Sequence, residues 1–470
     1  MTEWETVVGL EVHCELATAT KLFCACRNAF GDEPNTNICP VCLGLPGSLP
    51  VLNRGAVELA MRLGLALGCT VEPSLFHRKN YFYPDMPKDY QVSQYDQPIN
   101  VDGVLELADG TRVGIERAHL EEDTGKSTHV GGGGRIHEAD HSLVDYNRAG
   151  VPLVEVVSRP DLRSAEAARA YVNELRAVLV ATGASDARME EGSMRVDANI
   201  SVRPVDFSTL GTRCEVKNLN STRSLGRAID YEARRQIALL EAGEQVTQQT
   251  RHWDEADGRT HPLRSKEEAY DYRYFPEPDL VPLVPGDAWR TSVAESLPPL
   301  PAPRRRRLAE ATGSATAAVA VVVERGLDDL VLAALAAGGD AQRLVVHAEH
   351  DLAGGVGALT TDAFAALTRM EADGALTATQ AKAVLAELVA NGGDPAAVAA
   401  ALGYEAMAGD ALAVAVDDAI AANPDAWARY LAGDTKVSGF FVGQVMRATK
   451  GQADGRVVTA LLGQRADAGG

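Results

Sequence analysis

The sequence predicts an α+β protein in which a sheet-rich N-terminal part is followed by helical segments. Three observations carry this. Strand-like alternation mixes with turns and aromatic-rich loops through roughly the first 290 residues. After "PEPDLVPLVPGDAWR" the texture changes, and from "LPPLPAPRRRRLAEATG" onward Ala, Leu and Val recur at helical spacing. Glycine pairs at 338–339, 354–355 and 392–393 then punctuate helices of ordinary length. The expected divisions are 1–292 for the sheet domain, 293–400 for a helical domain and 401–470 for a small helical tail domain. A chain of 470 residues has room for them, each with its own core.

The first strand is "LEVHCEL" (10–16). Leu10, Val12, Cys14 and Leu16 take one face, which leaves Glu11, His13 and Glu15 together on the other. Next comes "KLFCACRNAFGDEPNTNICPVCLG" (21–44), with cysteines in a C-x-C-x12-C-x2-C arrangement. Two closely spaced thiol pairs suit tetrahedral zinc, so Cys24, Cys26, Cys39 and Cys42 are expected to hold a structural Zn²⁺; the competing reading is four reduced thiols. A zinc with four thiolates is closed to further ligands, so the site reads as a staple and not as a catalytic centre. Cys14, Cys69 and Cys214 sit in apolar alternations and read as core residues.

"HRKNYFYPDMPKDYQVSQYDQPI" (77–99) has the Tyr, Pro and Asp content of a rigid, specific loop, in which Lys79 and Lys88 could neutralise a phosphate or a carboxylate. "DTGKS" (123–127) resembles the end of a phosphate-binding loop, but Leu120 stands where that motif needs glycine. "HVGGGGRIHEADH" (129–141) reads as a flexible surface loop. "RVDANISVR" (195–203) sets Val196, Ala198, Ile200 and Val202 against Arg195, Asp197, Asn199, Ser201 and Arg203, and "RCEVK" (213–217) repeats the theme with Arg213, Glu215 and Lys217. By themselves these strands fit an antiparallel sheet with one wet face. His119, Glu121, Glu122, Asp123, Glu155, Glu190 and Glu191 add to the polar density. Gathered carboxylates repel and need cations, of which Mg²⁺ is the natural choice. Magnesium among carboxylates points to nucleotide chemistry, and a face of Glu, His, Asn and Arg can position ATP, with Arg195, Asn199 and Lys217 as its expected contacts. "RRRR" (304–307) reads as the solvated first turn of a helix.

The formal net charge is −20, from 45 Lys and Arg against 65 Asp and Glu, which argues against broad nonspecific nucleic-acid binding. The balance reverses at one end: residues 436–465 hold Lys436, Arg447, Lys450, Arg456 and Arg465 against Asp454 alone. The start "MTEWETVVGLEVHCEL" has no signal-peptide character and no apolar run reaches the length of a membrane span, so a cytoplasmic protein without a membrane partner is expected.

Taken together, "GLEVHCEL", "RKNYFYPDMPKDYQVSQYDQPI", "HLEEDTGKSTH", "DYNRAGVPLVEVVSRPD", "MEEGSMRVDANISVRP", "CEVKNLNS", "DYRYFPEPDLVPL" and "GFFVGQVMRATKGQA" resemble the B subunit of the aspartyl/glutamyl-tRNA(Asn/Gln) amidotransferases. The resemblance implies a glutamine-synthetase-like cradle on an antiparallel sheet, followed by a helical domain and a tail that help hold tRNA. It implies that ATP phosphorylates the side-chain carboxylate of Glu or Asp mischarged on tRNA(Gln) or tRNA(Asn), and that ammonia then displaces the phosphate. Carried over, the catalytic magnesium site would use Glu11, His13, Glu122 and Glu155 with Asp197 nearby, Lys79 and Lys88 would lie near the ammonia path, and Lys436, Arg447 and Lys450 would meet tRNA. No amidase or glutaminase nucleophile signature is present, so the implied partners are a glutaminase (amidase) subunit and a small third subunit in a heterotrimer. Two other readings stay open on the residues: a stand-alone amide ligase of glutamine-synthetase type, and a non-catalytic, zinc-stapled tRNA-binding module.

Overall fold

Alternation along "WETVVGLEVHCE" builds the strand that organises the N-terminal unit, β1 (Trp4–Glu15), whose Val8, Leu10, Val12 and Cys14 are fully buried while Glu11, His13 and Glu15 are not. In the structure, a computed structural model, residues 2–131, 139–263, 272–404, 409–449, 453 and 455–469 are described. They fall into two compact units, Met1–Pro303 and Arg304–Gly470.

In the first unit, thirteen further strands follow in chain order: β2 (Thr70–Val71), β3 (Phe76–Asn80), β4 (Tyr90–Gln94), β5 (Asn100–Glu106), β6 (Arg112–Glu122), β7 (Lys126–Val130), β8 (His141–Asp145), β9 (Pro152–Ser158), β10 (Met194–Pro204), β11 (Cys214–Leu219), β12 (Gln249–Asp254), β13 (Arg259–Pro262) and β14 (Phe275–Pro276). Twelve strands, β1 included, form one sheet in the order β13-β12-β11-β10-β1-β9-β6-β4-β3-β14, with β5 beside β6 and β2 beside β5. β7 and β8 form a separate hairpin, and the glycines at 132–134 lie outside the described residues. Among the described strands, pairing is antiparallel except between β11 and β12. This departs from the all-antiparallel expectation because helix α3 (Thr222–Glu241) crosses over between those strands, the connection a parallel pair requires.

One face of the sheet is sealed by α1 (Arg54–Ala66), α2 (Ala165–Ala181) and α3, which share a core with the apolar sides of β1, β6, β9 and β10. Each helix starts where a side chain caps it: Asn53, Ser164 and Ser221 accept from the first-turn amides. The central strand β9 contributes Val154 and Val156, both fully buried, each stabilising the fold by about 1.5–3 kcal/mol. Cys14, Cys69 and Cys214 are buried core residues, as their alternations suggested.

The second unit is helical. Helices Asp328–Ala336, Ala341–His350, Thr361–Ala372 and Ala378–Asn391 enclose Leu344, Phe364, Leu367, Val384 and Leu388, and Thr377 with Gln380 forms a capping box. A separate core of Val416, Phe441, Val445, Val458 and Leu462 lies among Gly409–Ala421, Ser438–Ala448 and Gly455–Gly469. The "RRRR" run corrects an expectation. Arg305 is buried and Arg304 pairs with the buried Asp328 carboxylate, whereas Arg306 and Arg307 are exposed as a solvated helix start requires, Arg307 also reaching Asp328; only half of the run is solvated. Among the described residues no helix is long and apolar enough to cross a membrane.

Candidate functional site

The polar face of the sheet is assembled from strands distant in sequence. Register sets His13 opposite Arg195 on β10 and opposite Glu155 on β9, and Glu155 opposite His119 on β6. One step along, Glu121 faces Ser93 on β4 and Glu11 faces Asp197. Two imidazoles and two carboxylates meet in the middle: His119 Nε2 lies 3.1 Å from Glu155, and His13 Nε2 lies 3.8 Å from both Glu121 and Glu155. Burial pushes the Glu155 carboxyl up, but the His119 and His13 rings beside it hold it well below the usual carboxylate range. Burial, with the Glu155 and Glu215 charges, raises Glu11 although Asn199 Nδ2 donates to it at 2.9 Å.

His13, Glu121 and Glu155 each offer a ligand atom within 4.8 Å of the others. Two carboxylates fit the oxygen preference of Mg²⁺, and the imidazole extends the set toward Mn²⁺. Of the four residues expected at this centre, the structure brings together His13 and Glu155 and keeps Glu11 near enough to feel Glu155. It does not bring Glu122. That side chain points to the other face of β6, where it accepts from the Val92 amide at 2.8 Å and pairs with Lys88. The reason is strand alternation: adjacent residues face opposite ways, so Glu121 and not Glu122 accompanies His119. Reading "HLEED" with that period would have found Glu121.

Around the centre, the residues expected to contact ATP are engaged with acids. Arg195 donates to Asp123 at 2.8 Å, and Lys217 bridges Asp197 and Glu215 at 2.8 Å each. Burial works against the Lys217 cation, but those two carboxylates outweigh it and raise its pKa. Asp123, also anchored by Arg148, is a site residue the sequence reading named only among the general polar density. Burial raises Glu15 to about 7. Lys79 on β3 sits over the Tyr272 ring; burial works against its cation, and Glu121 leads the groups that outweigh burial and raise its pKa. Glu190 and Glu191 lie on an exposed turn away from the cluster, with Glu191 paired to Arg188. In the second unit Lys436 and Arg447 are exposed, Lys450 lies outside the described residues, and Arg465 is engaged by Asp417 through two bonds of 2.7 and 2.9 Å.

The four clustered cysteines place their sulfurs within 4.8 Å of one another, and Cys39 and Cys42 Sγ are 3.9 Å apart. An ion about 2.3 Å from each sulfur sets tetrahedral sulfurs about 3.8 Å apart, so the donor set fits zinc. A hydrogen bond with Cys24 is the main cause that draws Cys42 down to about 5, and the Lys21 ammonium adds to it.

Comparison with known proteins places both parts of the chain in one family. Residues 6–291 match the family "GatB/GatE catalytic domain", and residues 340–465 match "GatB domain". The chain is similar to the B subunit of an aspartyl/glutamyl-tRNA(Asn/Gln) amidotransferase from Nocardia farcinica, 49% identical over 98% of this chain and 95% of the relative. Proteins of the same name from a Mycobacterium species (50% identical, 98% and 95% covered) and from Frankia casuarinae (49% identical, 99% and 96% covered) resemble it equally. The chain therefore belongs to the family of aspartyl/glutamyl-tRNA(Asn/Gln) amidotransferase B subunits.

Proposed function

We propose that this chain uses ATP to activate, and ammonia to amidate, the side-chain carboxylate of Glu or Asp carried on tRNA(Gln) or tRNA(Asn). The observation that carries the reading is the convergence of His13, Glu121 and Glu155 on the polar sheet face, inside the span that matches the catalytic-domain family. A glutamine-synthetase-like cradle is part of the same proposal. A carboxylate oxygen of the substrate attacks the γ-phosphorus of ATP and ADP leaves. Ammonia then attacks the acyl carbon and the C–O bond to phosphate breaks, so the poor electrophile becomes an amide at the expense of one phosphoanhydride.

His13, Glu121 and Glu155 would hold Mg²⁺, with Glu11 and Asp197 beside them. When bound, that ion neutralises charge between the carboxylates and the transferring phosphoryl group. Arg195, Asn199 and Lys217 line the same face and meet the nucleotide phosphates by exchanging their present carboxylate partners. Lys79 and Lys88 border the route of ammonia, supplied by a glutaminase partner within a three-subunit, cytoplasmic assembly. Lys436, Arg447 and Lys450 contact tRNA.

The test is phosphate release from ATP by the chain with its partner subunits, with and without Glu-tRNA(Gln), glutamine and Mg²⁺. Release that requires the charged tRNA is expected. Release indifferent to tRNA would identify a small-molecule ligase, and no release with tRNA still bound would identify a binding module; either refutes the proposal.

A further inference from the structure

Lys88 sits in a cage two of whose walls, Phe23 and Gly44, belong to the cysteine loop. Its Nζ is 6.0 Å from the Phe23 ring and 5.1 Å from the Tyr90 ring, and it pairs with Glu122, both side chains being almost inaccessible to solvent. Phe23 immediately precedes Cys24. Gly44, two residues after Cys42, lies directly against the Lys88 stem: a methyl group there would come within 2.3 Å of Lys88 Cγ and 3.0 Å of Cβ. Its φ of +67° is one that glycine adopts without strain. Both walls are thus bonded to the segments that carry the thiols.

A second link runs through charge. Lys21 is among the largest fully buried side chains, and its ammonium donates to the Tyr146 carbonyl at 3.2 Å. Gly150 marks where three groups converge: a methyl group there would lie 3.5 Å from Cys42 Cβ, 3.7 Å from Lys21 Cδ and 3.8 Å from Glu122 Oε2. A divalent ion with four thiolates carries a net charge of −2, which a buried cation at this position offsets. Gly150 thus brings the Lys21 stem, Glu122 and Cys42 to one point, with Lys88 paired to Glu122 on the far side.

We infer that the metal-loaded cysteine loop is the positioning element of the Lys88–Glu122 pair, with Lys21 as the buried counter-charge that couples the two. The staple then has a defined role, which is to hold Phe23 and Gly44 against Lys88, and stripping the metal opens the cage. The inference rests on the proposed function only in setting Lys88 beside the ammonia route.

Two readouts test it on the full chain, neither needing ATP or tRNA. In the first, acetic anhydride labelling of Lys88 is followed by mass spectrometry in the zinc-loaded and chelator-stripped reduced protein. Stripping is expected to raise Lys88 labelling by about tenfold or more, as local opening of a buried group does, with Lys79 little changed. Equal labelling of Lys88 in both states overturns the inference. In the second, zinc affinity is measured by competition with a chromophoric chelator. Lys21→Met is expected to weaken zinc about 10–100-fold and Lys21→Arg to retain it, the range seen when partners of metal ligands are removed. Unchanged affinity in Lys21→Met overturns the coupling. Should stripping unfold the whole unit, zinc-loaded Gly44→Ala decides: its Lys88 must label faster while zinc is retained, and unchanged labelling refutes the cage. Because no turnover is measured, these results and those on amide formation fail independently.

Discussion

Replacing Glu121 and Glu122 one at a time by Gln tests the division of labour across β6. Glu121 supplies one of the three ligand atoms gathered within 4.8 Å, so Glu121→Gln removes a charged oxygen donor from the centre. Changes one shell further out cost metal sites about 10–100-fold, and loss of a ligand itself should cost at least that. Glu122 faces the other way, so Glu122→Gln should leave metal affinity within about threefold, far less than the 10–100-fold of a disturbed site. Its effect should fall on stability. The carboxylate is buried against Lys88, and breaking such a pair by removing one partner costs about 3–5 kcal/mol. Gln keeps an acceptor for the Val92 amide and the ammonium, so a loss nearer 2–3 kcal/mol is expected, the scale of a hydrogen bond to a charged group. Free Mn²⁺ followed by electron paramagnetic resonance gives the affinity, and urea unfolding of the same samples gives the stability. A Glu122→Gln protein that loses Mn²⁺ while Glu121→Gln keeps it would refute the alternation argument outright.

Two other outcomes follow from the geometry. Glu232, fully buried, accepts from Arg235, Gln236 and Thr260; burial pushes its carboxyl up, but these bonds win and hold it below the ordinary value. A depressed folded pKa stabilises the fold above the unfolded carboxylate range and loses that contribution as pH falls through it, so the stability gap between wild type and Glu232→Gln should be full at pH 7 and shrink on acidification below about 4. A gap that widens on acidification in urea titrations would contradict the sign. On the tail, Lys436→Ala with Arg447→Ala should weaken tRNA binding and reduce its salt slope by roughly two, whereas Arg465→Ala should change neither, because Asp417 already occupies that guanidinium. Equal slopes for all variants in filter binding across a potassium chloride series would exclude this surface.

What the sequence discloses, and what it hides, divides along sequence distance. The faces of β1 and β10 are legible because side-chain period is local: Leu10, Val12 and Cys14 are buried opposite Glu11 and His13 just as the alternation requires. That His13 meets Glu155, and Glu155 meets His119, depends on register between strands scores of residues apart, which no local pattern specifies. The parallel entry of β12 was hidden for the same reason, since it turns on where α3 delivers the chain. Charge counts mislead where partners are distant: Arg304 finds Asp328, and Arg465 finds Asp417, so neither run of basic residues is as free as its composition suggests. The error at Glu122 is different in kind. Two identical residues adjoin, and only the strand period tells them apart.

That dipeptide also explains why the two chemistries need not be remote. Glu121 and Glu122 are both nearly inaccessible, consecutive on one strand, and committed to opposite faces: one to His13 and Glu155, the other to Lys88 and the cysteine loop. Consecutive strand residues rise only about 3.3 Å, so the end of the β6 ladder is the shortest connection through the sheet between them. The Val92 amide fixes Glu122 while Ser93, its neighbour on β4, lies opposite Glu121, so β4 clamps both carboxylates through adjacent residues. The cysteine loop and the polar centre therefore meet at adjacent residues of β6, with each carboxylate held by its own set of partners.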